Sequence, residues 1–320
     1  MIIMCENCIK KFKIDDKLIK ESGSKVRCSD CGHVFTAYRP APVQQEPPVR
    51  YNPRPPAPSE ADGTAGNVIS ISNQKGGVAK TTTCLNLGIS LALLNKRVLL
   101  IDFDVQSNLT ISLGYRNTTS FYEVMNSDSA DLDNFIIKTK YHNLSLLPSN
   151  KNMVLLNKKY FGIQNFEFIL RDRLALIKDQ FDYIVIDTPP SIGFFSINTL
   201  TSADLVVIPC ECEYLSTHGV DYTLKFIKLV KEKTNPKIDS NILITRYDET
   251  NTVAQLIAAK LKRMYKEKTF STFIELDDKI KESSIMRMPV IYYDKQSRSG
   301  LKYMRLAKEI LVKFEGEKSS

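Results

Sequence analysis

Residues 68–83 read VISISNQKGGVAKTTT, and this stretch decides the fold. Val68 to Ser72 are mostly β-branched and apolar, the pattern of a buried strand. A turn carrying Gly76 and Gly77 follows. Lys80-Thr81-Thr82-Thr83 then opens an apolar helical stretch, CLNLGISLALLN. Strand, glycine loop and helix in that order make a phosphate-binding loop. Backbone N–H groups in such a loop form an anion nest, and glycine lets an anion approach because it has no Cβ. The expected cradle is Lys75, Gly76, Gly77, Val78, Ala79, Lys80, Thr81 and Thr82. Lys80 is placed to reach the β- and γ-phosphates of a nucleotide, and the Thr81 hydroxyl to sit on Mg²⁺.

The common G-x-x-x-x-G-K-[ST] pattern is not met. Gln74 stands at its first glycine and Ala79 at its second, and an extra lysine, Lys75, opens the loop. This K-G-G-x-x-K-T arrangement resembles the deviant Walker A motif of the ParA/MinD family of ATPases. The resemblance implies that Lys75 reaches across a nucleotide-sandwich homodimer to the partner's ATP, so Lys75 and Lys80 are both expected to act in catalysis. Ala79 replaces the family's usual glycine and adds one methyl near the phosphates.

Two further motifs follow in the family's order. Arg97 is followed by VLLIDFDVQSN, in which VLLI reads as a second buried strand. It ends in Asp102-Phe103-Asp104, at the carboxyl edge where open α/β sheets bind ligands. The segment resembles the D-x-D-P-Q-x-N signature of ParA proteins, with Val105 in place of proline. By that resemblance Asp104 orients the attacking water. A carboxylate facing the γ-phosphate can do this without being a strong base, because phosphoryl transfer is catalysed chiefly by positioning and charge neutralisation. The third motif is FDYIVIDTPPS, residues 181–191. Tyr183 to Ile186 form a strand with Asp187 at its end, which is Walker B geometry for a Mg²⁺-bound water.

At 320 residues the chain has room for one large α/β domain and something small. No stretch approaches the ~18 apolar residues that span a bilayer. The N-terminus carries a cysteine pair and no basic-then-apolar signal pattern, so a cytoplasmic location is expected. Net charge is +8, unevenly spread. Residues 67–224 carry 13 Lys/Arg against 15 Asp/Glu, whereas residues 225–320 carry 21 against 13. That surplus attracts polyanions, nucleic acid before acidic membrane.

Residues 1–38 hold Cys5-x-x-Cys8 and Cys28-x-x-Cys31, with 19 residues between the pairs. This is the spacing of a four-cysteine zinc site. So short a segment cannot bury a useful core, and the metal would supply most of its folding free energy. His33 reads as a surface or strand histidine, since four thiolates suffice. The segment resembles small N-terminal zinc ribbons of bacterial proteins. Its own charge is nearly balanced, which leaves nucleic acid and protein partners both open. Residues 39–66 contain eight of the chain's fourteen prolines and read as an extended linker. The ATPase domain is placed at 67–320.

LSLLPSN, residues 144–150, reads as a strand and turn, and Cys210-x-Cys212 as packing. Residues 269–294, TFSTFIELDDKIKESSIMRMPVIYYD, resemble the late pattern of the ParA family, which implies a strand, an irregular loop and Pro289 before a short apolar run. Helices with basic outer faces are expected at 222–235, 252–268 and 299–315. The fold expected is a doubly wound, mostly parallel α/β sheet of the ParA/MinD-like P-loop type, with a small zinc ribbon in front. The family resemblance implies ATP, Mg²⁺-dependent hydrolysis, an ATP-bound homodimer, non-specific binding of nucleoid DNA and a ParB-like adaptor that moves plasmid, chromosome or other cargo. Candidates for DNA contact are Arg287, Lys295, Arg298 and Lys302, with Lys260 and Arg263 next. Two alternatives stand beside this: an ATP-switched regulator acting through the ribbon, and a MinD-like membrane positioner. The second is disfavoured because EGEKSS follows the last helix where an amphipathic tail would lie.

Overall fold

The computed structural model describes residues 2–8, 10–20, 22–38, 66–116, 118–126, 132–213 and 216–317. They belong to two compact units, one within residues 1–49 and the other within 50–320. The expected linker, 39–66, lies outside the described residues except for Gly66.

The first unit is built from two short antiparallel hairpins. Strands β1 (Ile2–Met4) and β2 (Lys11–Lys13) pair, as do β3 (Ser24–Arg27) and β4 (Val34–Ala37). Strand β1 was not legible in the sequence. Ile3, Phe12, Val26 and Phe35 gather around the cysteines, and Ile19 and Ala37 are buried in this unit as well.

The second unit holds β5 (Asn67–Ile71), α1 (Lys80–Leu93), β6 (Val98–Asp102), α2 (Asn108–Ser112), α3 (Phe121–Asn126), β7 (Ile137–Lys138), β8 (Leu144–Leu147), α4 (Met153–Tyr160) and α5 (Ile169–Leu174). It continues with β9 (Tyr183–Asp187), α6 (Phe194–Ser202), β10 (Leu205–Glu211), α7 (Ser216–Lys233), β11 (Asp239–Thr245), α8 (Thr252–Tyr265), α9 (Asp278–Ile285), α10 (Val290–Tyr293) and α11 (Arg298–Glu317). Among the described residues the strands form one seven-stranded sheet in the order β11-β10-β5-β9-β6-β8-β7. All neighbours are parallel except β7 on β8, at one edge.

Every residue of β6, β9 and β10 is buried, as expected of strands covered on both faces. Alternate residues of β10 point to opposite layers. Leu205 and Val207 join the core under α1 and α11, while Val206, Ile208 and Cys210 join the core under α6, α7 and α8. Helix α1 lies close on β6 because Gly88 faces Leu100; a Cβ there would meet Leu100 Cδ2 at 2.4 Å. The C-terminal elements are tied to α1 by polar contacts in the core. The Thr83 and Tyr303 hydroxyls are 3.2 Å apart, and Val290 N–H donates to Asn86 Oδ1 at 2.9 Å.

Between 269 and 289 the expectation needs correction. No continuous strand forms among these residues. Two isolated bridges, Ile242 with Thr269 and Tyr247 with Glu275, stand in its place. The expected loop contains α9, capped by Asp277, whose carboxylate accepts Lys279 N–H. Polar residues at its start and a single buried serine left little apolar period to read.

Candidate active site and metal centre

Strand β5 lies between β9 and β10, and the chain leaves it in one direction and returns on the other side. Its carboxyl end is therefore the topological switch point, where crossovers diverge and leave a crevice. Ile71, Asp187 and Asp102 lie abreast on β5, β9 and β6 at that edge. The glycine loop runs from this edge into α1. The Thr81 hydroxyl donates to Asp187 Oδ2 at 2.7 Å. The Lys80 ammonium folds back onto the Lys75 carbonyl at 2.8 Å. Lys75, Lys80, Thr81, Asp104 and Asp187 are thus brought to one crevice.

The loop fits an anion. Gly76 and Gly77 are exposed, their N–H groups donate to nothing among the described residues, and a Cβ on either would meet nothing within 4 Å. Ala79 takes φ 66°, the left-handed region. A glycine suits that conformation, so Ala79 carries backbone strain where the common motif has none. Burial depresses the Lys80 pKa, opposed by the charges of Asp187 and Asp104.

The acids divide into two roles. Asp187 is fully buried, and its Oδ1 has no hydrogen-bond partner. Burial, and after it the Asp102 charge, pushes its pKa well above the usual carboxylate range. An orphaned buried carboxylate oxygen beside a threonine hydroxyl fits a hydrated divalent cation. Asp102 is committed elsewhere: its Oδ2 accepts Thr110 N–H at 2.8 Å and the Thr110 hydroxyl at 2.6 Å. Burial raises its pKa to about 6. The Asp104 carboxylate accepts only Gln106 N–H, at 3.0 Å, on Oδ1, so its second oxygen is free of the protein among the described residues.

Sequence reasoning missed the residues that hold this loop in place. Asn73 receives Lys75 N–H at 2.9 Å and donates to the Pro209 carbonyl at 2.7 Å. The Ser149 hydroxyl donates to the Asp104 carbonyl at 2.6 Å, which clamps the acid from β8's following turn. Glu213 takes the Lys75 ammonium at 2.8 Å, with Ser216 at 3.0 Å. Only the polar residues within LSLLPSN and CECEYLS gave any signal of this. Cys210 is buried against the Ser216 carbonyl, in keeping with a packing role.

The DNA candidates divide by their ion pairing. Arg298 and Lys302 both lie on Glu275, at 3.7 Å and 2.8 Å. Arg287 and Lys295 are exposed and make no ion pair among the described residues, as are Lys260 and Arg263 on α8. Glu275 is a partner the sequence did not suggest. Among the described residues no helix is long and apolar enough to cross a membrane.

In the first unit the four thiols of Cys5, Cys8, Cys28 and Cys31 all lie within 4.8 Å of one another. Cys5 is 3.6 Å from Cys31, and Cys8 is 3.6 Å from Cys28. Four sulfurs ~2.3 Å from a central Zn²⁺ stand roughly 3.8 Å apart, so the cluster fits zinc. The N–H groups of Asp30 and Cys31 point at the Cys28 sulfur, both at 3.4 Å, as a thiolate requires. His33 is exposed and stacks on Phe35, with no part in the cluster.

Comparison with known proteins agrees with both units. The zinc-ribbon domain profile matches residues 1–36, and the AAA domain profile residues 66–240. The chain is 35% identical over 249 residues to the sporulation initiation inhibitor protein Soj of Bacillus subtilis, covering 77% of this chain and 98% of Soj. The chain belongs to the ParA family. It carries a zinc ribbon at its N-terminus as well. To the chromosome partitioning protein ParA of Myxococcus xanthus this ParA-family protein is 34% identical, over 78% of its own length and 89% of that relative's. Among solved structures it resembles cobyrinic acid a,c-diamide synthase from Mycobacterium smegmatis with bound ADP and magnesium. There the TM-score is 0.69 and the identity 30%, covering 78% of this chain and 96% of the other.

Proposed function

We propose that this protein is a Mg²⁺-dependent ATPase that dimerises around ATP, holds DNA without sequence preference in that state, and releases it on hydrolysis to segregate or position cargo. The observation that carries the reading is the meeting of Lys80, Thr81 and the orphaned Asp187 oxygen at an open glycine loop. Gly76 to Thr82 would cradle the phosphates, and Lys80 would neutralise them. Thr81 and Asp187 would hold magnesium, which would neutralise phosphate charge. Asp104, with one oxygen free, would orient the attacking water. Lys75 would swing from Glu213 to the partner's nucleotide. The partitioning role of the Myxococcus and Treponema relatives supports cytoplasmic, nucleoid-associated work with a ParB-like adaptor. The domain limits proposed are 1–38 for the ribbon, 39–66 for the linker and 67–320 for the ATPase.

The test is retention of duplex DNA by the full chain across a salt series, with ATP, ADP and no nucleotide. Retention should require ATP and fall steeply with salt, because each phosphate contact releases counterions. Lys80→Ala should abolish both nucleotide binding and retention. Equal retention in all three nucleotide states removes the ATP-switched DNA reading.

A further inference from the structure

We propose that the outer face of the β3–β4 hairpin in the zinc ribbon binds single-stranded nucleic acid, independently of ATP. The hairpin's two faces are cleanly divided. Val26 and Phe35 pair across the strands and turn toward the cysteines. The alternate residues point outward: Lys25 is paired with Thr36, and Arg27 with Val34. All four are exposed. Tyr38 continues the same row beyond Thr36 and is 63% exposed. Its ring is seated, not loose. A Cβ on Gly23 would come within 2.8 Å of the Tyr38 ring, so the ring lies directly over that glycine's backbone.

Among the described residues the charge on this face is of one sign. Residues 1–38 carry seven Lys/Arg and five Asp/Glu, which looked nearly neutral in sequence. None of those five acids lies in β3 or β4. Asp30, the nearest in sequence to β4, is held by Lys10. Lys25 and Arg27 make no ion pair among the described residues. The centre of a protein-docking face is depleted of charge, Lys among the most, although Arg and Tyr are common there. This one sets two free cations beside an exposed, fixed aromatic ring on a sheet surface. Bases in single strands stack on such rings while the cations follow the backbone, and a duplex cannot offer its base faces.

The experiment uses the zinc-loaded full chain without nucleotide and a labelled oligothymidylate of about a dozen nucleotides. Fluorescence anisotropy should show binding, with unlabelled duplex of equal length a poor competitor. Tyr38→Ser should weaken binding about tenfold or more, and Tyr38→Phe should leave it intact. Lys25→Gln with Arg27→Gln should lower the salt slope by about 1.4, the value for two lost contacts to a single strand. Zinc content, measured for each variant, should stay at the wild-type level. The proposal is overturned if the oligonucleotide does not bind, if duplex competes as well as single strand, or if Tyr38→Ser and the Lys25→Gln, Arg27→Gln double variant, each with full zinc, bind as wild type does. Because no ATP is present, loss of ATP-dependent duplex retention would leave this result standing, and the reverse.

Discussion

The Lys75 ammonium lies 2.8 Å from the Glu213 carboxylate of its own chain, with the Ser216 hydroxyl on its other side at 3.0 Å. The lysine is held away from its own phosphate loop. Glu213 is 64% exposed, so the pair is screened and worth at most about 1 kcal/mol. A triphosphate offers more charge at shorter range, so the contact is easily exchanged. Glu213→Gln should therefore leave thermal stability almost unchanged and should not impair dimer formation with a non-hydrolysable ATP analogue. Lys75→Ala should bind the analogue and stay monomeric. Light scattering reads both, and a Lys75→Ala dimer of wild-type strength would refute the cross-subunit role.

Asp187 gives magnesium binding a pH dependence that an ordinary carboxylate lacks. Burial and the neighbouring Asp102 favour its protonated form, so a cation must displace a proton. Affinity for magnesium nucleotide should rise with pH, by about tenfold per unit while one proton is released. Calorimetric titration over a pH series above the usual carboxylate range of about 4 checks this, and a flat profile there would refute it. Stability of the metal-free fold carries the opposite sign. The raised Asp102 value favours the folded chain most below the unfolded value of about 3.9, and that contribution is lost as pH climbs through about 6.

Ala79 stands in the left-handed region at φ 66°, ψ 31°, immediately before α1. An L-residue with a Cβ pays about 1–2 kcal/mol there relative to glycine. Glycine also gains entropy when unfolded, which offsets part of that. Ala79→Gly should raise stability by roughly 1 kcal/mol, read from the midpoint of urea unfolding at unchanged slope. Nucleotide affinity should be kept or improved, since the loop conformation is already set. An unchanged or lower midpoint would show that the alanine is accommodated without strain.

The strands and the loop were legible because they are short, apolar and punctuated by Gly, Asp and Lys. Sequence could place Asp102, Asp104 and Asp187 at one sheet edge, since each ends an apolar run. It could not divide their labour. That depends on Thr110 reaching back eight residues to Asp102, and on Ser149 gripping the Asp104 carbonyl from another strand. Nor could it pair Lys75 with Glu213, or Arg298 and Lys302 with Glu275, because those contacts are closed by the sheet order. Strand β1 was missed since three residues at a chain end carry no period. The ribbon's charge division was hidden for a related reason: strand alternation places Lys25 and Arg27 on one face, whereas composition only counts cations.

The two acids of the D-x-D segment should respond to alanine in different ways. Asp104 is 7% exposed and offers an oxygen that no protein group occupies. Removing it takes away the group that would orient water, while the phosphate cradle is untouched. Asp104→Ala should bind ATP with wild-type affinity and form the ATP dimer, and its turnover should fall about 100-fold or more. Asp102 instead satisfies the Thr110 N–H and hydroxyl inside the core. Asp102→Ala leaves those buried donors unpaired and should cost about 1–3 kcal/mol of stability before any effect on chemistry. Steady-state hydrolysis and urea unfolding on both variants separate the roles. If Asp104→Ala hydrolyses at the wild-type rate, or if Asp102→Ala is as stable as wild type, the division of labour between the two carboxylates is wrong.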